Sequence, residues 1–137
     1  MGMDGRDSRS VVARWIELWN STGPDGVDEV FADDFHDAQL AERLNGPVTL
    51  QDFKASLRAL VDAMGLAQFE VHETVAEGDA VVVRWTVHGT HQGVLWGMPP
   101  TGKTFAIEGV NIFHVRDGRI VERRSFLDPV AVLRLGH

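Results

Sequence analysis

The residue best placed to do chemistry is Asp128, which follows a strand-like run from Arg119 to Leu127 and precedes Pro129. A carboxylate surrounded by apolar side chains such as Phe126 and Met98 is poorly hydrated, and poor hydration strengthens it as a base. The sequence therefore predicts that Asp128 abstracts a proton. The alternative is a structural role, because Asp followed by Pro at a first helical position is a normal helix start. One residue could serve both roles.

Two histidines are candidates to assist Asp128. His91 lies in a loop, where its imidazole could orient the carboxylate or donate to a substrate oxygen, or only hydrogen-bond to the backbone. His114 belongs to the strand-like run that pairs, across the turn at 116–118, with the run that ends at Asp128. Strand alternation puts His114 and Asn111 on opposite faces, so only one of them can line a pocket without a bulge, which Gly109 could provide. We favour His114 for that position.

Two consecutive arginines, Arg123 and Arg124, lie in the same run. Arg124 has the strand parity of Asp128, so it could pair with that carboxylate and weaken it as a base. It could instead bind an anionic or enolate oxygen of a substrate. A solvent-facing position at a dimer surface is the third alternative.

Tryptophans are the candidate walls of a ligand site. Trp15 and Trp19 recur at helical spacing, which is typical of core residues, although either could stack on a ligand. Trp96 lies in a glycine-rich loop and could close over an aromatic ligand, with Gly93 and Gly97 allowing that loop to move as a lid. The predicted substrate-binding residues are therefore Trp15, Trp19, Trp96, Met98, Asn111, Arg124 and Phe126.

An acidic cluster formed by Asp33, Asp34, His36 and Asp37 could be mistaken for a metal site. Its members are consecutive in sequence rather than brought together from several elements, so we interpret it as a solvated acidic edge. The chain has no cysteine, which excludes disulfides, a thiol nucleophile and cysteine metal sites. No metal site is predicted.

The elements that must position these residues change character at Gly65. Before it, apolar residues recur at helical spacing in the segment 12–19, in a short helix expected from Asp25, and in a helix that Thr49 and Asp52 begin with a capping box. Residues 33–38 are expected to be extended. After Gly65, strand-like runs and tight turns predict an antiparallel meander followed by a last helical turn at 130–135. This order predicts an α+β domain with the helices on one face of the sheet.

Length and charge narrow the classes of protein. The 137 residues fit one domain, which we place at residues 11–137, after a polar N-terminus at 1–10 that is expected to be flexible. The formal net charge of −7 disfavours nucleic acid as a partner. No apolar run approaches the roughly 20 residues that span a membrane, and the N-terminus lacks a secretion signal. A cytoplasmic location is expected.

Three motifs identify a family. Gly-Thr-His at 89–91, Pro-Pro-Thr-Gly at 99–102 and Asp-Gly-Arg-Ile-Val-Glu at 117–122, followed by Asp128, resemble the SnoaL-like polyketide cyclases of the NTF2-like superfamily. The resemblance runs from about Val11 to the C-terminus. It implies a cone, in which a curved antiparallel sheet wraps around the N-terminal helices and leaves a deep apolar pocket. It also implies an acid/base aspartate at the position of Asp128, a histidine on the neighbouring strand, and a homodimer formed through the outer face of the sheet.

The expected function is cofactor-independent, cyclase-type acid/base catalysis on a hydrophobic polyketide-like molecule. Asp128 would take an acidic proton next to a carbonyl, and ring closure would follow without a metal or nucleotide. One alternative is a non-catalytic NTF2-like binding module, and another is an isomerase or hydrolase that uses the same pocket. The chain has no tyrosine, so we rank lower the dehydrating and epoxide-opening reactions, which in relatives depend on tyrosine.

Overall fold

In a computed structural model that describes residues 5–136, helices fill the first half of the chain and strands the second. The elements, in chain order, are α1 (Gly5–Thr22), a 3-10 turn (Gly23–Gly26), α2 (Val27–Val30), β1 (Phe31–His36), α3 (Ala38–Leu44), α4 (Leu50–Met64), β2 (Gln68–Glu77), β3 (Ala80–Thr90), β4 (Thr104–Arg116), β5 (Arg119–Leu127) and α5 (Pro129–Leu135). The predicted α+β class is confirmed.

The five strands form one curved, open sheet in the order β1-β5-β4-β3-β2. The last four strands are an antiparallel meander, as predicted, while β1 joins the edge of the sheet parallel to β5. Carboxyl ends of parallel neighbours lie at the same edge of a sheet. The residues that follow β1 and β5 are therefore brought to one end of the fold.

Gly109 does not form the bulge considered from the sequence, because the β3/β4 pairing continues without a shift through this position. A Cβ atom at Gly109 would collide with the Trp85 ring and would lie 2.6 Å from the Phe126 carbonyl oxygen. The glycine therefore leaves room for the indole on the inner face of the sheet.

Helices α1 and α4 supply most of the core opposite the sheet. Trp15 and Trp19 of α1 are buried, and Trp15 packs edge-on against Phe31 with ring centroids 4.8 Å apart. Helix α4 begins with the predicted capping box, in which the Asp52 amide donates to Thr49 Oγ1 at 3.1 Å and the Thr49 amide donates to Asp52 Oδ2 at 3.0 Å. The helix–strand order of the prediction thus has its expected physical basis, an apolar helix stripe against an apolar sheet face.

Two local predictions differ from the structure. The helix expected from Asp25 is a 3-10 turn followed by four residues of α2, and Asp25 makes no capping hydrogen bond. Helix α3 was not predicted, because its seven residues have too few apolar positions to give a periodic signal.

Helix α1 begins at Gly5, within the segment expected to be flexible. The buried Ser8 hydroxyl donates to the Gly78 carbonyl at 3.1 Å, and Arg9 Nη1 donates to the Thr74 carbonyl at 3.0 Å, so this turn of the helix is tied to β2 and the turn after it. The first four residues lie outside the described part of the chain. Within residues 5–136, no helix combines the length and apolar character needed to cross a membrane.

Candidate functional site

A cavity of about 880 Å³ lies between helices α1, α3 and α4 and the inner face of the sheet. Its walls are mostly apolar and include all four tryptophans of the chain, Trp15, Trp19, Trp85 and Trp96. This volume and composition are typical of a small-molecule site. The predicted deep apolar pocket is present.

One charged pair is set into the cavity wall. Arg123 Nη2 of β5 lies 3.4 Å from Asp37 Oδ2, and the side chains are only 18% and 1% exposed, respectively. The guanidinium also lies over the Phe53 ring, with Cζ 5.1 Å from the ring centroid. Burial lowers the pKa of Arg123 and the Asp37 carboxylate opposes that effect. Since arginine starts far above neutrality, the guanidinium stays charged.

Asp37 reaches this position through two local features. It follows β1 and shares the inward parity of Phe35, so its side chain turns towards the core. Its Oδ1 also accepts the Leu40 amide at 2.9 Å, which makes Asp37 the N-cap of α3. Oδ2 is the oxygen left to pair with Arg123.

Gln39 extends the edge of the sheet beyond β1. Its side-chain oxygen accepts the Ser125 amide at 2.9 Å, and its side-chain nitrogen donates to the Ser125 carbonyl at 3.2 Å. The amide group thereby replaces a strand neighbour for β5. Both residues line the cavity next to the charged pair.

Three buried polar atoms of the cavity wall have no hydrogen-bond partner among the described residues: Trp85 Nε1, Asn111 Oδ1 and Arg123 Nε. Buried polar atoms are normally paired, so each of these requires an explanation. By contrast, Trp19 Nε1 donates to the Ala67 carbonyl at 2.8 Å and is already satisfied.

Asp128 does not line the cavity. Its side chain is exposed and accepts the Val130 amide at 3.0 Å, which makes it the N-cap of α5, with Pro129 at the first helical position. The capping alternative considered from the sequence is thus confirmed. The apolar surroundings that were expected to strengthen this carboxylate as a base are absent, because Phe126 is half exposed.

His91 is fully buried and serves the loop that follows it. Its Nε2 donates to the Met98 carbonyl at 3.2 Å, and its Nδ1 accepts the Thr101 hydroxyl at 3.0 Å, since a carbonyl oxygen can only accept. Both ring nitrogens are used, and His91 is not part of the cavity wall. Met98 is partly buried against the core without lining the cavity.

The preference for His114 over Asn111 is wrong. Asn111 lines the cavity, whereas His114 lies on the other face of β4, with ring nitrogens 3.9 Å from Asp79 and 3.8 Å from Glu122. Arg124 and Phe126 lie on the outer face of β5 for the same reason of parity. Arg124 therefore neither pairs with Asp128 nor reaches the cavity. Arg123 is the arginine of the site.

Trp96 occupies the tip of a tight turn in which the Leu95 and Met98 backbones bond to each other at 3.0 and 2.9 Å. Its φ of 50° is uncommon for a bulky side chain, and Gly97 follows with φ of 79°. This backbone holds the indole at the cavity while leaving it partly exposed. Trp15, Trp19 and Trp96 are thus brought together as predicted substrate-binding residues.

The acidic edge is solvated only in part. Asp33, Asp34 and His36 are exposed, but Asp37 is buried, which corrects its assignment to that edge. The i, i+2 relation of Phe35 and Asp37 was the signal that could have revealed it. Within residues 5–136, no three His, Asp or Glu side chains converge so as to hold a metal ion.

The comparisons with known proteins agree with the fold. The family model described as SnoaL-like polyketide cyclase matches residues 9–135. The aklanonic acid methyl ester cyclase of Streptomyces peucetius is 29% identical over 128 residues, covering 90% of this chain and 86% of the relative. The nogalonic acid methyl ester cyclase of Streptomyces nogalater is 29% identical over 121 residues, covering 87% and 89%. A SnoaL-like protein from Jannaschia sp. CCS1 superposes with a TM-score of 0.83 at 23% identity, covering 99% and 95%.

Proposed function

Because the chain belongs to the SnoaL-like polyketide cyclase family, we propose that it closes a ring in a hydrophobic polyketide-like molecule held in the cavity. The observation that carries this proposal is the charged pair of Asp37 and Arg123 in the wall of an otherwise apolar cavity. A few convergent polar groups in an apolar pocket are the usual arrangement of a catalytic site. Asp37 takes the role that the sequence suggested for Asp128.

Ring closure needs one base and one group that stabilises a developing oxyanion. Asp37 accepts a proton from a carbon next to a carbonyl group, and the resulting enolate oxygen lies against the Arg123 guanidinium. The enolate carbon then adds to a second carbonyl of the same molecule, and the alkoxide takes the proton back from Asp37. Substrate and product are isomers, so this route consumes no metal, nucleotide or redox partner.

The aromatic walls contribute by folding the substrate. Trp15, Trp85 and Trp96 restrict the conformations of a flexible chain, and fixing a reactive conformer can contribute several kcal/mol to rate acceleration. Two relatives are named for methyl esters of aklanonic and nogalonic acid. These two esters are therefore the first substrates to test.

The chain provides a matched pair of variants for this test. Asp37 and Asp128 are both N-caps, and asparagine caps a helix about as well as aspartate, so Asp37→Asn and Asp128→Asn each remove a carboxylate while keeping the cap. Turnover of each ester is followed by chromatography, with circular dichroism as the check on folding. We expect Asp37→Asn to lose about 10²- to 10⁴-fold in rate and Asp128→Asn to keep the wild-type rate. The opposite pattern would restore Asp128 as the base.

A second candidate function is ligand binding without catalysis. It is favoured by the two donors that Asp37 already accepts, the Leu40 amide and Arg123, because hydrogen bonds to a carboxylate weaken it as a base. Binding is measured by tryptophan fluorescence, since all four indoles line the cavity and the chain has no tyrosine. Saturable quenching by either ester without any product would support this candidate.

We also propose a homodimer formed through the outer face of the sheet, with a small molecule rather than nucleic acid or a membrane as the other partner. Phe126 is half exposed on that face, and Arg84 bonds Glu73 and Glu108 there at 3.2 and 2.8 Å. Light scattering after size exclusion measures the mass. Phe126→Asp should shift a dimer towards monomer, while a wild-type monomer would refute the proposal.

A further inference from the structure

The three unpartnered polar atoms of the cavity wall form an ordered row. Trp85 is level with Gly109 across β3 and β4, and Arg123 is level with Phe113 across β4 and β5. Asn111 lies midway between those two levels on β4. Trp85, Asn111 and Arg123 therefore follow one diagonal across three adjacent strands, where diagonal neighbours are about 7–8 Å apart between Cα atoms.

The row alternates in hydrogen-bonding character. Trp85 Nε1 and Arg123 Nε are donors, and Asn111 Oδ1 between them is an acceptor. Trp85 and Asn111 are 3% and 8% exposed, so only what fills the cavity can satisfy them. A complementary ligand presents an acceptor, a donor and an acceptor in that order along one edge.

The charge of the cavity adds a second constraint. Its charged lining residues are two carboxylates and two guanidinium groups, which cancel: Asp37, Glu42, Arg43 and Arg123. A net neutral cavity offers no excess field to an ion and favours an uncharged ligand. The row must therefore recognise neutral oxygens.

We propose that Trp85, Asn111 and Arg123 select ligands in which a hydroxyl group lies between two carbonyl groups, each on an alternate carbon. The two carbonyl oxygens accept from Trp85 Nε1 and Arg123 Nε, and the hydroxyl donates to Asn111 Oδ1. A chain of alternating carbonyls has this order when its middle carbonyl is enolised. The proposal rests on the proposed function and specifies its substrate class.

The test uses binding, so that it is independent of turnover. The probes are 2,6-diacetylphenol, which has the carbonyl, hydroxyl, carbonyl order, 1,3-diacetylbenzene, which lacks the hydroxyl, and 1,3-diethylbenzene, which lacks all three oxygens. Each is titrated into ¹⁵N-labelled wild-type protein, and the four indole N–H resonances are followed by NMR. We expect 2,6-diacetylphenol to move the Trp85 resonance downfield and to leave the already bonded N–H of Trp19 in place.

Two variants assign the effect to single atoms. Trp85→Phe should weaken 2,6-diacetylphenol binding roughly two- to tenfold and leave 1,3-diethylbenzene unchanged, since it removes one donor and keeps an aromatic ring. Asn111→Leu should weaken 2,6-diacetylphenol by a similar factor and leave 1,3-diacetylbenzene unchanged. Trp19→Phe is the matched control and should not discriminate among the probes, because its N–H is not available to a ligand.

The proposal is overturned if 2,6-diacetylphenol binds no better than 1,3-diethylbenzene, or if both variants weaken all three probes equally. A Trp85 resonance that does not move on saturation also overturns it, and this readout needs no variant to fold. Failure of ring closure with intact probe selectivity would refute the proposed catalysis alone.

Discussion

Removing Arg123 should destabilise the fold by leaving the Asp37 carboxylate buried without its cation. Breaking a buried ion pair from one side typically costs about 3–5 kcal/mol, most of which is the penalty for the charge left behind. Asp37 is 1% exposed and keeps only the Leu40 amide at 2.9 Å as a donor. That remaining hydrogen bond, and the long 3.4 Å contact with Arg123, place the expected cost of Arg123→Met at the lower end, about 3 kcal/mol.

The double variant Asp37→Asn with Arg123→Met separates charge from packing. Methionine keeps the length of the side chain against Phe53, and asparagine keeps the cap of α3, so neither charge nor cap is left unsatisfied. We expect the double variant to lie within about 1 kcal/mol of wild type, because replacing a buried pair by uncharged groups is often nearly neutral. The two single changes would then be strongly non-additive.

Urea unfolding followed by tryptophan fluorescence measures these free energies. With a slope of about 1–3 kcal/mol per molar urea, a loss of 3 kcal/mol lowers the midpoint by about 1–3 M. Equal midpoints for Arg123→Met and wild type would refute the view that the pair compensates a buried charge. A double variant no more stable than Arg123→Met would attribute the loss to packing instead.

Three further expectations concern residues around the cavity. Asp128→Ala should cost about 1 kcal/mol of stability in urea unfolding through loss of the α5 cap, with ligand affinity unchanged. Gly109→Ala should cost about 1–3 kcal/mol and reduce ligand binding in fluorescence titrations, because its methyl group displaces the Trp85 ring. His91→Ala should expose the 92–103 loop to faster limited proteolysis, because it removes the side chain that holds the Met98 carbonyl and the Thr101 hydroxyl; unchanged cleavage would contradict this role.

The fold could be predicted because its signals are local and repeated. The capping box at Thr49, the helical spacing of Trp15 and Trp19, and the meander of strands after Gly65 each indicate one element. What the sequence could not supply was the parallel pairing of β1 with β5, a non-local contact that no motif encodes. That pairing closes one side of the cavity and brings Asp37 to Arg123.

The site was predicted less well because one wrong choice of face propagated along the strands. Taking Asp128 as inward-facing assigns Arg124 to the pocket by parity, and the preference for His114 over Asn111 came from the same picture. A one-residue change of parity exchanges every side chain between the faces. The structure exchanges each of them, so that Arg123 and Asn111 line the cavity while Arg124 and His114 lie outside.

Asp37 and Asp128 show why residue type and position in an element do not suffice to choose a catalytic acid. Each follows a strand, β1 and β5 respectively, and each caps a seven-residue helix by accepting a backbone amide. Because the two strands are parallel neighbours, both carboxylates lie near one end of the sheet. Only Asp37 is buried beside a cation on the cavity wall, and this difference arises from packing across strands that are some 90 residues apart in sequence.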